Sequence, residues 1–124
     1  MKNSELNLVV IRAADIEQLS NFYSLLGCVF KKHKHGGGPE HYTYETESFI
    51  FEIYPALKKS DKTNNLRLGF RVESVDEILE RIKASGFVTF ILSDAQDSQW
   101  GRRAVINDPE GHKVELIDDS PKVR

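Results

Sequence analysis

The chain has 124 residues, enough to bury one core and too few for two independent ones. Its 17 Lys and Arg against 19 Asp and Glu leave a net charge of −2, without the basic excess of a general nucleic-acid binder, so no nucleic-acid partner is expected. No apolar run approaches the roughly 18 residues of a membrane span, the start lacks a signal-like apolar stretch, and the lone Cys28 excludes an intrachain disulfide.

These exclusions lead us to expect a cytoplasmic protein with no membrane partner. Cys28, between Gly27 and Val29, reads as a small core residue rather than a nucleophile.

In chain order, a short apolar strand is predicted over Leu6–Arg12. A helix follows, opened by Asp15 with Gln18 three residues on, a capping-box spacing that satisfies free backbone N–H groups. Ile16, Leu19, Phe22, Tyr23 and Leu26 recur at helical spacing, and Gly27 supplies the stop. Three strands are then predicted: Cys28–Lys34, His41–Glu45 and Ser48–Tyr54. The Gly36–Pro39 stretch reads as a loop, and Thr46-Glu47 as a tight turn. Lys58 to Asn65 is polar and turn-rich, a linker.

The pattern then repeats. Residues Leu8 to Gly27, LVVIRAADIEQLSNFYSLLG, are answered by Arg67 to Gly86, RLGFRVESVDEILERIKASG. Arg12 aligns with Arg71, Ile16 with Val75, Tyr23 with Ile82, and Gly27 with Gly86. A second strand is predicted over Leu66–Val72, with a helix capped by Ser74 and Glu77 and carrying Val75, Ile78, Leu79 and Ile82 inward. Strands Phe87–Leu92, Arg103–Asn107 and Lys113–Ile117 follow, with Ser93–Trp100 as a loop and Pro109-Glu110-Gly111 as a turn. The fold expected is a single α+β domain over residues 1–124. It has two βαβββ modules, about 6–56 and 66–118, joined by a linker at 57–65. Together they form a curved mixed sheet around a cleft, with the helices on its outer side.

Strand alternation assigns faces. Phe49, Phe51 and Ile53 suit the helix side, which turns Ile50, Glu52 and Tyr54 the other way. Val114 and Leu116 take the helix side, leaving Lys113, Glu115 and Ile117 opposite. Leu66, Leu68, Phe70 and Val72 do the same on their strand, leaving Arg67, Gly69 and Arg71. One concave face is therefore expected to carry Leu8, Glu52, Arg67 and Glu115.

Three other clusters carry chemistry. His33 and His35 share a strand face, and His41 follows across the Gly-rich turn, a spacing that accommodates zinc. Lys31, Lys32 and Lys34 oppose a cation there, so the competing reading is a lip over the cleft, with His41, Tyr42 or Tyr44 touching a ligand. Trp100 and Arg103 precede and open a strand, offering an apolar plane and a guanidinium for a carboxylate or phosphate. His112, in the DPEGH turn, reads as structural.

The repeat, together with GRRAVINDPEGHKVELID near the end of the chain, resembles the vicinal oxygen chelate superfamily over residues 6 to 118. That superfamily includes glyoxalase I, bleomycin-resistance proteins, fosfomycin-resistance enzymes and extradiol dioxygenases. The resemblance implies the paired-module fold, a homodimer, and four strand positions that hold a divalent metal in many members. Here those positions are Leu8, Glu52, Arg67 and Glu115. Leu has no donor atom and Arg is a permanent cation, so no metal or other cofactor is expected, and Arg67 is expected to neutralise one or both acids. Glu52 and Glu115 stay as the alternative metal ligands, as do His33, His35 and His41.

The leading expectation is a small-molecule binder of the bleomycin-resistance type, with Arg67, His41, Tyr44, Tyr54, Trp100 and Arg103 around its ligand. The alternative is a lyase, isomerase or dioxygenase-like enzyme acting on a small oxygenated compound, with Glu52 or Glu115 as base. A third is a regulatory module with an empty cleft. The fold does not choose among them.

Overall fold

The computed structural model describes residues 2–87 and 91–119. The chain divides into two compact units, Met1–Thr63 and Asn64–Arg124.

In the first unit, β1 (Leu8–Ala13) leads into α1 (Ile16–Ser24), then β2 (Lys31–His33), β3 (His41–Glu45) and β4 (Ile50–Pro55). The strands form one mixed sheet in the order β1-β4-β3-β2, with β1 parallel to β4 and the other pairs antiparallel. The second unit repeats this with β5 (Arg67–Arg71), α2 (Val75–Ser85), β6 (Ile91–Ser98), β7 (Gly101–Asn107) and β8 (Lys113–Asp118), ordered β5-β8-β7-β6. Two βαβββ modules are thus present, each with its own four-stranded sheet and one helix.

Both helices start where their caps place them. Asp15 accepts from the Gln18 backbone N–H at 2.9 Å, and the Ser74 hydroxyl accepts from that of Glu77 at 3.2 Å. A second, longer-range cap serves α2: the buried Asp118 carboxylate takes the Val75 N–H at 2.7 Å, tying β8 to the helix it packs under. Gly86 ends α2 at φ +83, a left-handed conformation that side chains resist.

The core follows the predicted alternation. In the first unit Ile11, Leu19, Phe22, Tyr23, Phe51 and Ile53 are buried, and the Tyr23 ring meets Phe51 edge to face at 5.2 Å. In the second, Ile78, Leu79, Ile82, Ile106, Val114 and Leu116 close the space between α2 and its sheet.

The structure corrects three predicted elements. Ser93–Trp100 is not a loop: Ile91–Ser98 pairs with β7 through two register irregularities. Local propensity in SDAQDS is poor, but an aligned partner strand supplies the hydrogen bonds that the residues themselves do not favour. Strand β7 accordingly begins at Gly101 rather than Arg103. Strand β2 spans only Lys31–His33, because Cys28 is drawn back to the helix end, its N–H bonding the Tyr23 carbonyl. Of the strand predicted at Phe87–Leu92, residues 88–90 lie outside the described set.

The predicted linker holds a short helical turn, Lys59–Asp61, and then rejoins β1. Thr63 donates to the Arg12 carbonyl, and its hydroxyl accepts from the Arg12 N–H, both at 2.9 Å.

Candidate functional site

Burial of Phe51 and Ile53 under α1 leaves Glu52 and Tyr54 on the open face of the first sheet. The register sets Val10 and Thr43 on either side of Glu52. The Thr43 hydroxyl donates to Glu52 Oε2 at 2.9 Å, and His41 Nε2 stands 3.6 Å from the same oxygen. His41 is 1% exposed, and its ring lies parallel to that of Tyr54 with 4.1 Å between centres. The Arg12 guanidinium sits 5.4 Å from the Tyr54 ring centre.

The hydrogen-bond inventory of His41 matters. Nδ1 is 3.3 Å from the Pro39 carbonyl, which only accepts, so Nδ1 carries a hydrogen. Nε2 is buried and without a hydrogen-bond partner. In the neutral ring its lone pair therefore points at a carboxylate.

His33 and His35 lie next to His41. The ring centres are 5.9 Å apart for His33–His35, 6.0 Å for His33–His41 and 5.2 Å for His35–His41. A concavity of about 400 Å³ opens along the same face, lined by Lys31, His33, Thr43 and Glu45 among others. Leu8 and Val10, 44% and 40% exposed, give this face an apolar strip.

Tyr44 stands on the other side of the sheet. Its ring centre is 6.0 Å from that of Phe30, which also packs on Tyr42 and Phe51. The Tyr42 hydroxyl bonds Glu17 of α1, whose carboxyl is held below the usual range by Lys32 first and then Tyr42. Alternation along β3 separates His41 and Thr43 from the two tyrosines, so the predicted lip residues His41, Tyr42 and Tyr44 do not share one face.

In the second unit Glu115 takes the open face of β8, because Val114 and Leu116 are buried under α2. Two guanidiniums reach it. Arg103 on β7 binds one carboxylate oxygen through Nε, and Arg67 on β5 reaches the other at 3.5 Å. The Glu115 carboxyl is held below the usual carboxylate range by the Arg103 hydrogen bond above all, with burial opposing and the charges of Arg103 and Arg67 adding. Arg103 was expected near a ligand; its place as the nearer partner of Glu115 emerges only when β7 and β8 are paired.

Trp100 lies in the β6–β7 turn, 70% exposed, its backbone N–H donating to the Ser98 hydroxyl at 3.2 Å. His112 and Asp108 are buried together at 2.8 Å, and Asp108 also accepts the N–H groups of Glu110 and His112. That network builds the turn into β8. Thr43 and Arg12 were not singled out from sequence; the β3–β4 register was the missing signal for Thr43.

The four positions that resemblance linked to a divalent metal do not suit one. Leu8 offers no donor, Arg67 is a fixed cation, and both oxygens of Glu115 are engaged by arginine. Among the described residues no three His, Cys, Asp or Glu side chains converge on one point as placed. No helix is long and apolar enough to cross a membrane among them.

A family model described as a glyoxalase-like domain matches residues 6–120. Among solved structures, TnmS3, an antibiotic-binding protein from Streptomyces sp. CB03234, is 21% identical, with a TM-score of 0.73 over 97% of this chain and 99% of that one. The oxidase ChaP-H2 is 20% identical, with a TM-score of 0.72 over 94% of each chain. A glyoxalase/bleomycin resistance protein/dioxygenase family enzyme from Burkholderia phytofirmans PsJN is 19% identical, with a TM-score of 0.68 over 94% of this chain and 99% of that one. At these identities the likeness is one of fold. No curated protein matches the chain.

Proposed function

The chain belongs to the glyoxalase-like domain family, within the vicinal oxygen chelate superfamily, and from that premise we propose a small-molecule-binding protein that works without the metal at the family positions. The observation that carries this reading is Glu115 closed off by Arg103 and Arg67. An acid so engaged neither ligates an ion nor serves as a ready base.

What remains on the open faces is binding chemistry. The first unit offers the Leu8 and Val10 side chains, the Tyr54 ring and the Glu52 carboxylate. The second offers Arg67, half exposed, and the exposed Trp100. Apolar surface with a few fixed polar groups is the make-up of small-molecule sites. The neighbour that binds an antibiotic supports the same reading. On the first unit Glu52 pairs with a ligand cation and Tyr54 gives a flat contact; on the second, taken by itself, Trp100 gives a flat contact and Arg67 and Arg103 hold an anionic group. The protein acts as a cytoplasmic homodimer with neither nucleic acid nor membrane as partner.

A thermal-shift screen of cationic and aromatic compounds, run in chelator-treated buffer, tests the proposal. A hit whose shift shrinks in Glu52→Gln, with the unliganded midpoint unchanged, supports it. Absence of any hit, or hits indifferent to Glu52, Arg67 and Tyr54 alike, overturns it.

The second reading is a lyase, isomerase or dioxygenase-like enzyme acting on a small oxygenated compound. Placement of Glu52 beside the buried His41 favours it, as does the neighbour described as an oxidase. Glu52 is then the base, since the two arginines hold Glu115 firmly ionised. Turnover abolished by Glu52→Gln but retained in Glu115→Gln identifies this case.

A further inference from the structure

We propose that Arg67 and Lys113 form an oxyanion site of the phosphate class on the second unit, with the Asn65 amide as a further donor. The inference rests on the small-molecule reading for what brings the anion there, and it adds Lys113 and the class of the group bound.

The strand register creates the site. Strands β5 and β8 run parallel, and Arg67 stands directly opposite Lys113. The Lys113 backbone N–H donates to the Leu66 carbonyl at 3.1 Å, which holds the two positions side by side. Both residues are exposed, and Val114 beside Lys113 is buried, so the two cationic side chains share the open face of the sheet. Neighbouring strands lie about 4.8 Å apart, and like charges set directly opposite at that spacing repel. An anion between them turns the repulsion into attraction.

The neighbouring side chains do not do this for Lys113. Among the described residues its ammonium has no carboxylate as an ion-pair partner. Glu115, two residues on and on the same face, is taken up by Arg103 and meets Arg67 at 3.5 Å. That contact uses one terminal nitrogen of Arg67, Nη2, and the rest of the guanidinium fork keeps donors for a second acceptor.

A concavity of about 310 Å³ opens beside the pair, lined by Asn65, Leu66, Arg67, Gly111 and Lys113. Both charged groups in that lining are cations, and the Asn65 side chain adds a neutral N–H donor. Leu66 offers apolar contact to the body of a ligand. Donors on two strands and in the turn before β5 approach from different directions, which suits a tetrahedral oxyanion better than a planar carboxylate. A phosphate monoester also carries about −1.5 to −2 charges at neutral pH, matching two cations.

The test is a titration of the full chain with inorganic phosphate and with phenyl phosphate at constant ionic strength, followed by amide NMR signals. The expected result is saturable movement of the Asn65 side-chain amide and the Gly111 backbone N–H. Affinity is expected to fall at least about 10-fold in Lys113→Gln, the loss of one charge-assisted contact. Lys59→Gln, which removes an equal charge from the first unit, is expected to leave it unchanged. Lys113 is exposed, so its variant folds, and with the repulsion gone its unliganded thermal midpoint is expected to be equal or higher.

Phenyl phosphate binding at least as tightly as inorganic phosphate assigns the group to an organic ligand, whereas tighter inorganic phosphate assigns it to the free ion; both support the site. Shifts that do not saturate, equal affinity in the Lys113 and Lys59 variants, or acetate binding as tightly as phosphate overturn the proposal. Glu52→Gln is expected to leave phosphate affinity unaltered, so the two readings fail separately. Lys113-dependent phosphate binding without any hit in the compound screen sinks the wider reading alone. Glu52-dependent hits without phosphate binding sink this inference alone.

Discussion

His41 and Tyr54 lie ring on ring, 4.1 Å between centres and 7° from parallel, across adjacent strands of the first sheet. The stack holds the imidazole so that Nε2 faces Glu52, and the orientation of the acid is therefore set by β3 and β4 together. Removing the ring exposes a buried polar group as well as an apolar one.

Tyr54→Leu is expected to lower stability by the stacking contribution, about 0.5–1.5 kcal/mol beyond area burial. Tyr54→Phe keeps the ring and is expected to lie within about 0.5 kcal/mol of the native chain. Urea unfolding of both variants measures the difference. Equal losses in the two would show that the ring is not what matters.

Glu115 makes stability depend on acid in a defined direction. Its carboxyl is lowered in the folded protein, mainly by the hydrogen bond from Arg103. A depressed acid stabilises fully above its unfolded value of about 4.3, and that contribution disappears as pH falls through the lowered folded value. Arg103→Gln is expected to raise the carboxyl toward its ordinary range, so that the window between unfolded and folded values narrows and less stability is lost as pH falls. Arg67→Gln is expected to do the same to a smaller extent, its contact being 3.5 Å. Carbon-detected titration of the Glu115 carboxyl reads both shifts.

Gly101 is the tightest point of the second sheet. A Cβ there would meet the Asp118 carbonyl oxygen at 2.2 Å, and φ is +131. Gly101→Ala is expected to cost at least about 2 kcal/mol, since backbone and not a flexible side chain must move. A fall in thermal midpoint with the fold retained is the readout. A midpoint unchanged in this variant would contradict the close approach of β7 and β8.

Cys28 is 4% exposed, and burial pushes its thiol up to about 12. Thiol reagents attack the thiolate, so labelling of the native chain at neutral pH is expected to proceed only through unfolding. Its rate should track denaturant concentration. Prompt labelling in native buffer would show that the C-terminal end of α1 opens on its own.

Much of the fold is legible along the chain because its signals are local. Asp15 and Ser74 announce their helices within one turn, and Phe51 and Val114 announce the buried face of their strands within three residues. The placement of Glu52 and Glu115 on open faces follows from nothing more than alternation. Less legible are the contacts joining distant segments. The SDAQDS stretch becomes a strand only when β7 aligns beside it, and the Asp118 cap on α2 spans most of the second module. The first depends on a register that bulges shift by single residues, the second on a side chain 43 residues beyond the helix start.

The amino-acid order by itself determined the doubled βαβββ plan, the helix starts and the side of each sheet on which the two acids stand. All of these are periodic or nearest-neighbour properties of a chain with fixed backbone geometry. Only the tertiary structure decided what each acid meets: Arg103 with Arg67 for Glu115, and Thr43 with the buried His41 for Glu52. The reason is that cross-strand partners are chosen by register and packing over many residues, and a slip of one position would exchange every partner on the face.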